Sequence, residues 1–321
     1  MEKLFRPRSL EECSILFTAN KLFTGHFYAH FKEDFMGENN FIYEIAENIA
    51  TITINRPEAL NAMTFAMDHE LSAELTKAEN DDDVKCIILK GTGPCFCAGH
   101  DLKEVGFVYG FGDGKDSKRR PSQRIRLQID HAMMVEAYGH IQNCFKPIIA
   151  QVHGHCLEGG MLVALMCDMI IASEDASLGF PGQRLGFAGN SPIVPHLVHT
   201  VGLKKAREIM LLGLKFDGKE AERIGLINRA VPPAKLEEEA QKVAKAVCLM
   251  PRDGIVMGKS FLQLFYDRMG LNAGHIAGYI GHTLFTNLRW EKDEYNYFRE
   301  RRENGPKAGF HGRDKSYEDL V

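Results

Sequence analysis

No apolar run in this chain approaches the roughly 18 residues that a membrane-crossing helix needs, so no membrane span is expected. The eight cysteines, at positions 13, 86, 95, 97, 144, 156, 167 and 248, contain no paired CxxC, which excludes a zinc site of the usual spacing. Most lie inside apolar stretches, where reduced core thiols are found. A net charge of only −4 over 321 residues leaves no bulk basicity for nucleic acid or an anionic membrane, so an anionic ligand has to meet a local patch. The first residues hold charges among mixed apolar positions and no continuous apolar h-region, which places the protein in the cytoplasm as an expectation.

What is present is an α/β pattern. Residues 1–40 have no clear period and read as an extension. From Phe41 the chain turns β-branched. Ile42–Ile45 and Ile49–Ile54 flank Glu47-Asn48 and predict a hairpin. Met67, Leu71, Leu75 and Ala78 mark one face of a helix, and Val84–Lys90 a buried strand. A second round follows with a helix bearing Ile125, Ile129, Met133 and Ala137, a strand over Pro147–Val152 and an apolar helix over Met161–Met166. A third strand is predicted at Asp168–Ala172 and another at Leu226–Val231. Beyond Pro232-Pro233, segments 235–250, 254–266 and 275–302 read as helices. The expected division is therefore 1–40 extension, 41–232 core and 233–321 helical region.

Two strands run into glycine-rich turns: Gly91 to Gly99-His100-Asp101-Leu102, and His153-Gly154 to Glu158-Gly159-Gly160. A strand ending in such a turn leaves backbone N–H groups free, and two such turns can aim two donors at one developing oxyanion.

Four motifs in order resemble those of the enoyl-CoA hydratase/isomerase (crotonase) superfamily. They are Asn55-Arg56-Pro57 with Leu60-Asn61-Ala62, Phe96 to Leu102, His153-Gly154 through Gly159-Gly160, and Cys167-Asp168 through Ala172. The resemblance spans about Phe41 to Phe310. It implies a crotonase-like spiral of ββα units and a C-terminal helical region forming a homotrimer or dimer of trimers. The implied substrate is an acyl-CoA thioester, with no cofactor beyond its coenzyme A moiety. By position, the thioester oxygen falls to the amides of His100 and Gly159, and coenzyme A contacts fall to Ala62, Ala98, Asp101, Leu102 and Lys103. A thioester enolate concentrates charge on that oxygen, so two preorganised donors stabilise it more than the neutral carbonyl.

The chain also departs from the pattern. The two glutamates of the hydratases are replaced by Leu162 and Gly182, neither of which moves a proton. Glu158, beside the oxyanion glycine, is the first candidate base, against a side chain that points away and pairs elsewhere. The His100 ring could steady a carboxylate or a second oxygen. His155 could line the acyl pocket or be structural. Asn190 could orient water or cap a helix before Pro192. Gln183 and Arg184 are lesser candidates, and Lys118-Arg119-Arg120, Lys103 and Lys315 could meet phosphates or simply be solvated. The leading expectation is an enoyl-CoA hydratase/isomerase-like enzyme. Its alternatives are a decarboxylase or carbon–carbon hydrolase of a malonyl- or β-oxoacyl-CoA, and a catalytically silent acyl-CoA-binding protein.

Overall fold

The computed structural model describes residues 40–108, 122–186, 193–285, 290–318 and 320. The expected extension, apart from Asn40, lies outside them, as do Lys118, Arg119, Arg120 and Asn190. Asn39–Val321 forms one compact unit.

The predicted hairpin is β1 (Phe41–Ala46) and β2 (Ile49–Ile54), paired antiparallel so that Ala46 faces Ile49. Its two turn residues, Glu47 and Asn48, have φ of 52° and 65°, the left-handed pair that lets a two-residue turn follow the twist of its strands. Strands β3 (Cys86–Gly91) and β4 (Ile148–Val152) add in parallel to β2. A three-residue strand, β5 (His155–Leu157), follows β4 and leaves the main sheet to pair with β7 (Ser177–Gly179), which in turn pairs with β8 (Lys215–Phe216). The main sheet continues with β6 (Met169–Ser173) and β9 (Arg229–Val231), in the order β1-β2-β3-β4-β6-β9. Of the strand expected over Leu226–Val231 only its last three residues pair, because Leu226 and Ile227 turn into the core ahead of it.

Side chains alternate across the parallel strands. Ile87, Leu89, Ile148, Ala150 and Ile170 enter the main core with Met67, Leu71 and Leu75 of α1 (Phe65–Glu79). Cys86, Ile88, Ile149 and Ile171 face the other way. The helices on the path to that second face are α2 (Leu102–Val108), α3 (Gln123–His131), α4 (Gly139–Asn143), α5 (Gly159–Met166), α6 (Val194–Leu212) and α7 (Gly218–Arg223). The face itself is covered by Leu236, Ala240 and Ala244 of α8 (Leu236–Cys248). The first helix beyond Pro232-Pro233 thus packs on this second cluster and not in the main core.

Between α3 and α4 the chain passes through a π turn, Ala132–Tyr138, that buries Met133, Met134, Ala137 and Tyr138. Near the C-terminus the expected single helix over 275–302 is two: α10 (Leu271–Phe285), after α9 (Arg252–Arg268), and α11 (Tyr297–Asn304). Asn296 starts the latter by accepting the Arg299 N–H on its side chain, a cap that the charge-rich pattern concealed. Gly305 then breaks the path into α12 (Pro306–Lys315). Six described cysteines are buried and Cys248 is half-buried, all of them free thiols. Among the described residues no helix is long and apolar enough to cross a membrane, and no cluster of three His, Cys, Asp or Glu could hold a metal ion.

Candidate active site

Backbone pairing brings the two glycine turns together. The Cys97 N–H donates to His155 O at 2.9 Å, and the Leu157 N–H returns to Cys97 O at 3.0 Å. This parallel bridge sets Ala98-Gly99-His100 beside Leu157-Glu158-Gly159. The contact is too close for side chains: a Cβ on Gly160 would lie 2.4 Å from Cys97 O. A Cβ on Gly99, whose φ is 114°, would lie 3.7 Å from the Gly159 nitrogen. The amide of His100, next along from Gly99, is thus close to that of Gly159, which opens α5 where first-turn N–H groups have no helical acceptor. Neither N–H donates to another backbone group among the described residues outside regular elements.

A third segment fixes the first turn from behind. Asn61, fully buried with φ of 55°, accepts the Arg56 N–H at 2.9 Å and donates to Thr92 O and Cys95 O at 2.9 and 2.7 Å. Arg56 in turn donates to Ala62 O and pairs with Asp101 at 2.8 Å. The Asn-Arg-Pro and Leu-Asn-Ala motif therefore acts as a clamp on the first glycine turn.

Glu158 occupies the sharp corner between β5 and α5, with φ 47° and ψ −116°. A non-glycine residue there costs about 1–3 kcal/mol, and such strain is found where a side chain must be aimed. The carboxylate accepts the Gly182 N–H through Oε1. A Cβ on Gly182 would lie 2.6 Å from Glu158 Cδ and 2.8 Å from each carboxylate oxygen. The carboxylate fills the space that any side chain at position 182 would need. Burial pushes Glu158 up to about 7, against the Gly182 hydrogen bond and the charges of Arg313 and His100, which pull it down.

The His100 ring lies over Gly159: a Cβ there would be 2.5 Å from Nδ1. Nε2 points the other way, 3.0 Å from Tyr138 Oη and 3.5 Å from Asp68 Oδ2. Asp68 is buried on α1, and neither of its carboxylate oxygens has a hydrogen-bond partner among the described residues. Burial lowers the His100 pKa, but Asp68, then Glu104 and Glu158, raise it further, and the net shift is upward. Glu104, also buried, accepts the Phe65 N–H at 2.8 Å and is pushed up to about 7, chiefly by burial.

The structure thus brings His100, Gly159 and Glu158 together, sets Gly182 against Glu158, and adds two residues unmarked by any motif: Asp68 and Tyr138. Asp68 had one sequence signal, a charge adjoining the apolar stripe of α1. Of the positions assigned to coenzyme A, Ala62 and Ala98 are half-buried and Lys103 is exposed. Both Asp101 oxygens are engaged, one by Arg56 and the other by the Lys103 N–H at 2.8 Å. Leu102 gives its carbonyl to Arg301 at 2.9 Å. Arg184 donates to Leu212 O and Asp314 and stacks on Tyr317, a tie to α12. Gln183 is buried, His155 and Lys315 are exposed, and Leu162 packs against the main core.

The Enoyl-CoA hydratase/isomerase family profile matches residues 44–304. A probable enoyl-CoA hydratase of Rhizobium meliloti (strain 1021) is 35% identical over 227 residues, 70% of this chain and 81% of its own. An enoyl-CoA hydratase/isomerase from Xanthobacter autotrophicus Py2 superposes with a TM-score of 0.72 at 32% identity, over 87% of this chain and 99% of that one. A probable enoyl-CoA hydratase from Mycobacterium thermoresistibile gives 0.67 at 32% identity, over 77% and 96%.

Proposed function

The chain belongs to the enoyl-CoA hydratase/isomerase family, and from that premise we propose that it forms a thioester enolate with Glu158 as its single working carboxylate. The His100 and Gly159 amides receive the thioester oxygen, and Glu158 moves the proton at C2. The observation that carries this is the meeting of Glu158 with Gly182: a carboxylate aimed from a strained corner fills the place a side chain at 182 would take. A group pushed up to about 7 is suited to exchanging protons near neutrality. With Leu162 and Gly182 at the other acid positions, hydration by a pair of glutamates is not the chemistry proposed.

The test is exchange at C2. A saturated acyl-CoA incubated with the protein in D2O gains mass as its C2 protons are replaced, and Glu158→Gln abolishes the gain. Tight coenzyme A binding with no exchange and no turnover on enoyl-, malonyl- or β-oxoacyl-CoA makes the protein a silent binding module instead. Coenzyme A contacts at Ala62, Ala98, Asp101, Leu102 and Lys103 and a cytoplasmic location belong to the same proposal. So does assembly as a homotrimer or dimer of trimers, which is supported by the apolar surface of α9, where Met257 and Phe261 are 71% and 61% exposed. Solution sizing tests it.

A further inference from the structure

Away from the glycine turns, three side chains on α1 and α4 stand in a line of hydrogen bonds. Ser72 and Glu79 lie two turns apart on one face of α1, and His140 of α4 bridges them. Its Nδ1 is 2.6 Å from Ser72 Oγ, and its Nε2 is 2.7 Å from Glu79 Oε2. The Phe145 N–H donates to Glu79 Oε1 at 2.8 Å and holds the carboxylate from behind. Burial raises the Glu79 pKa, but the His140 bond and then the Phe145 N–H outweigh it and keep the group below its ordinary value. An ionised carboxylate only accepts, so the hydrogen between it and the ring belongs to Nε2. In the neutral imidazole Nδ1 is then the acceptor, and the Ser72 hydroxyl donates to it.

We propose that Ser72 is a nucleophile, with His140 as its base and Glu79 positioning the ring, and that it takes up an acyl group from a thioester. Nucleophile, base and orienting acid are each within hydrogen-bond reach of the next, which is the arrangement that activates a hydroxyl. None of the three belongs to the enolate site, so the inference stands apart from that assignment. Ser72 is half-buried, and the side chains of His140 and Glu79 keep 20% and 15% of their exposure, so a reagent has access. Ser72 also stands in the middle of α1, where backbone N–H groups are spent on carbonyls four residues back and none is free for an oxyanion. The expected product is therefore a slowly formed, lasting serine ester, one acyl group per chain.

The step balances without a redox partner. Ser72 Oγ bonds to the thioester carbonyl carbon as its proton passes to His140 Nδ1. The carbon–sulfur bond then breaks, its electron pair leaves with sulfur, and His140 returns the proton to the thiolate. One thioester is consumed, and a serine ester and a free thiol are formed. The charged groups around the ring are Glu79 of α1, Lys146 just beyond α4, whose Nζ is taken up by Ala78 O and Asp81 O, and Lys259 of α9, which pairs with Asp168.

The experiment incubates the full chain with phenyl thioacetate, a thioester that carries no coenzyme A, and reads acetylation by intact mass and peptide mapping. The wild type is expected to gain one acetyl group at Ser72, and hydroxylamine removes it as it removes an ester. His140→Asn slows the labelling about a hundredfold, as for a lost general base. Glu79→Gln slows it in the same sense and moves the pH limb of the labelling rate to lower pH, because no carboxylate then favours the imidazolium. It serves if His140→Asn shows no cooperative thermal transition. Absence of acetylation at Ser72, acetyl groups found only on hydroxylamine-stable lysines, or labelling of Ser72 within about threefold of the wild-type rate in either folded variant overturns the inference.

Discussion

Glu158→Gln is expected to make the protein less active and more stable at once. The carboxyl is raised from 4.5 to about 7 in the folded chain. An acid raised on folding binds more protons native than unfolded between those values, so stability falls as pH rises from 4.5 to about 7 and stays low above it. The interval corresponds to about 3 kcal/mol against the folded state at pH 8. Glutamine keeps a carbonyl for the Gly182 N–H and carries no charge, so that loss disappears. Urea titrations at pH 5 and 8 check this: the variant gains stability relative to the wild type at pH 8 and little at pH 5. Activity follows the opposite sense. The ionised fraction of the wild-type group climbs from about one tenth at pH 6 to about nine tenths at pH 8, so kcat/KM rises about tenfold over that range. The variant loses about 10²–10⁴-fold and the limb with it. A variant that is less stable at pH 8 and retains activity within about threefold would refute both the burial of charge and the role of Glu158.

Three further outcomes are expected. Gly182→Ala drives a methyl to 2.6 Å from Glu158 Cδ, so C2 exchange falls at least about tenfold while melting temperature changes little, the flexible carboxylate giving way. Gly159→Ala sets a Cβ at 2.5 Å from His100 Nδ1, and turnover drops about a hundredfold in steady-state assays because the ring and the oxyanion space are both disturbed. Asn61→Ala removes the partners of Arg56, Thr92 and Cys95 at a fully buried position. Equilibrium unfolding is expected to show a loss of about 2–4 kcal/mol.

The strands that carry the site were legible because their signals are local. Ile49–Ile54 announces itself by composition, Glu47-Asn48 by turn chemistry, and the buried strands by unbroken apolar runs. The glycine turns were legible as donors of N–H groups, and Glu158 as an acid at the right place in the chain. Its meeting with Gly182 was not, since that contact depends on a corner with positive φ that no glycine marks. Asp68 and Tyr138 were missed for a related reason: each adjoins a helical stripe that reads as core, and only the packing of α1 and the π turn around His100 gives them a partner. The short strand β5 was hidden in what reads as a glycine turn, its ladder being with residues more than twenty positions on. The helix expected over 275–302 failed where a side-chain cap at Asn296 outweighed periodicity.

The π turn that ends at Tyr138 has a consequence for insertions and deletions. Each residue of an ordinary α-helix turns the chain by about 100°. A π turn accommodates one residue more than the regular winding. In regular winding that extra residue between Ala132 and Ala137 would carry Tyr138 about 100° around the axis and away from the imidazole; the wider turn absorbs it and holds the phenol 3.0 Å from His100 Nε2. The aim of the His100 ring is thus encoded partly in chain length, and a comparison of side chains alone would not register its loss.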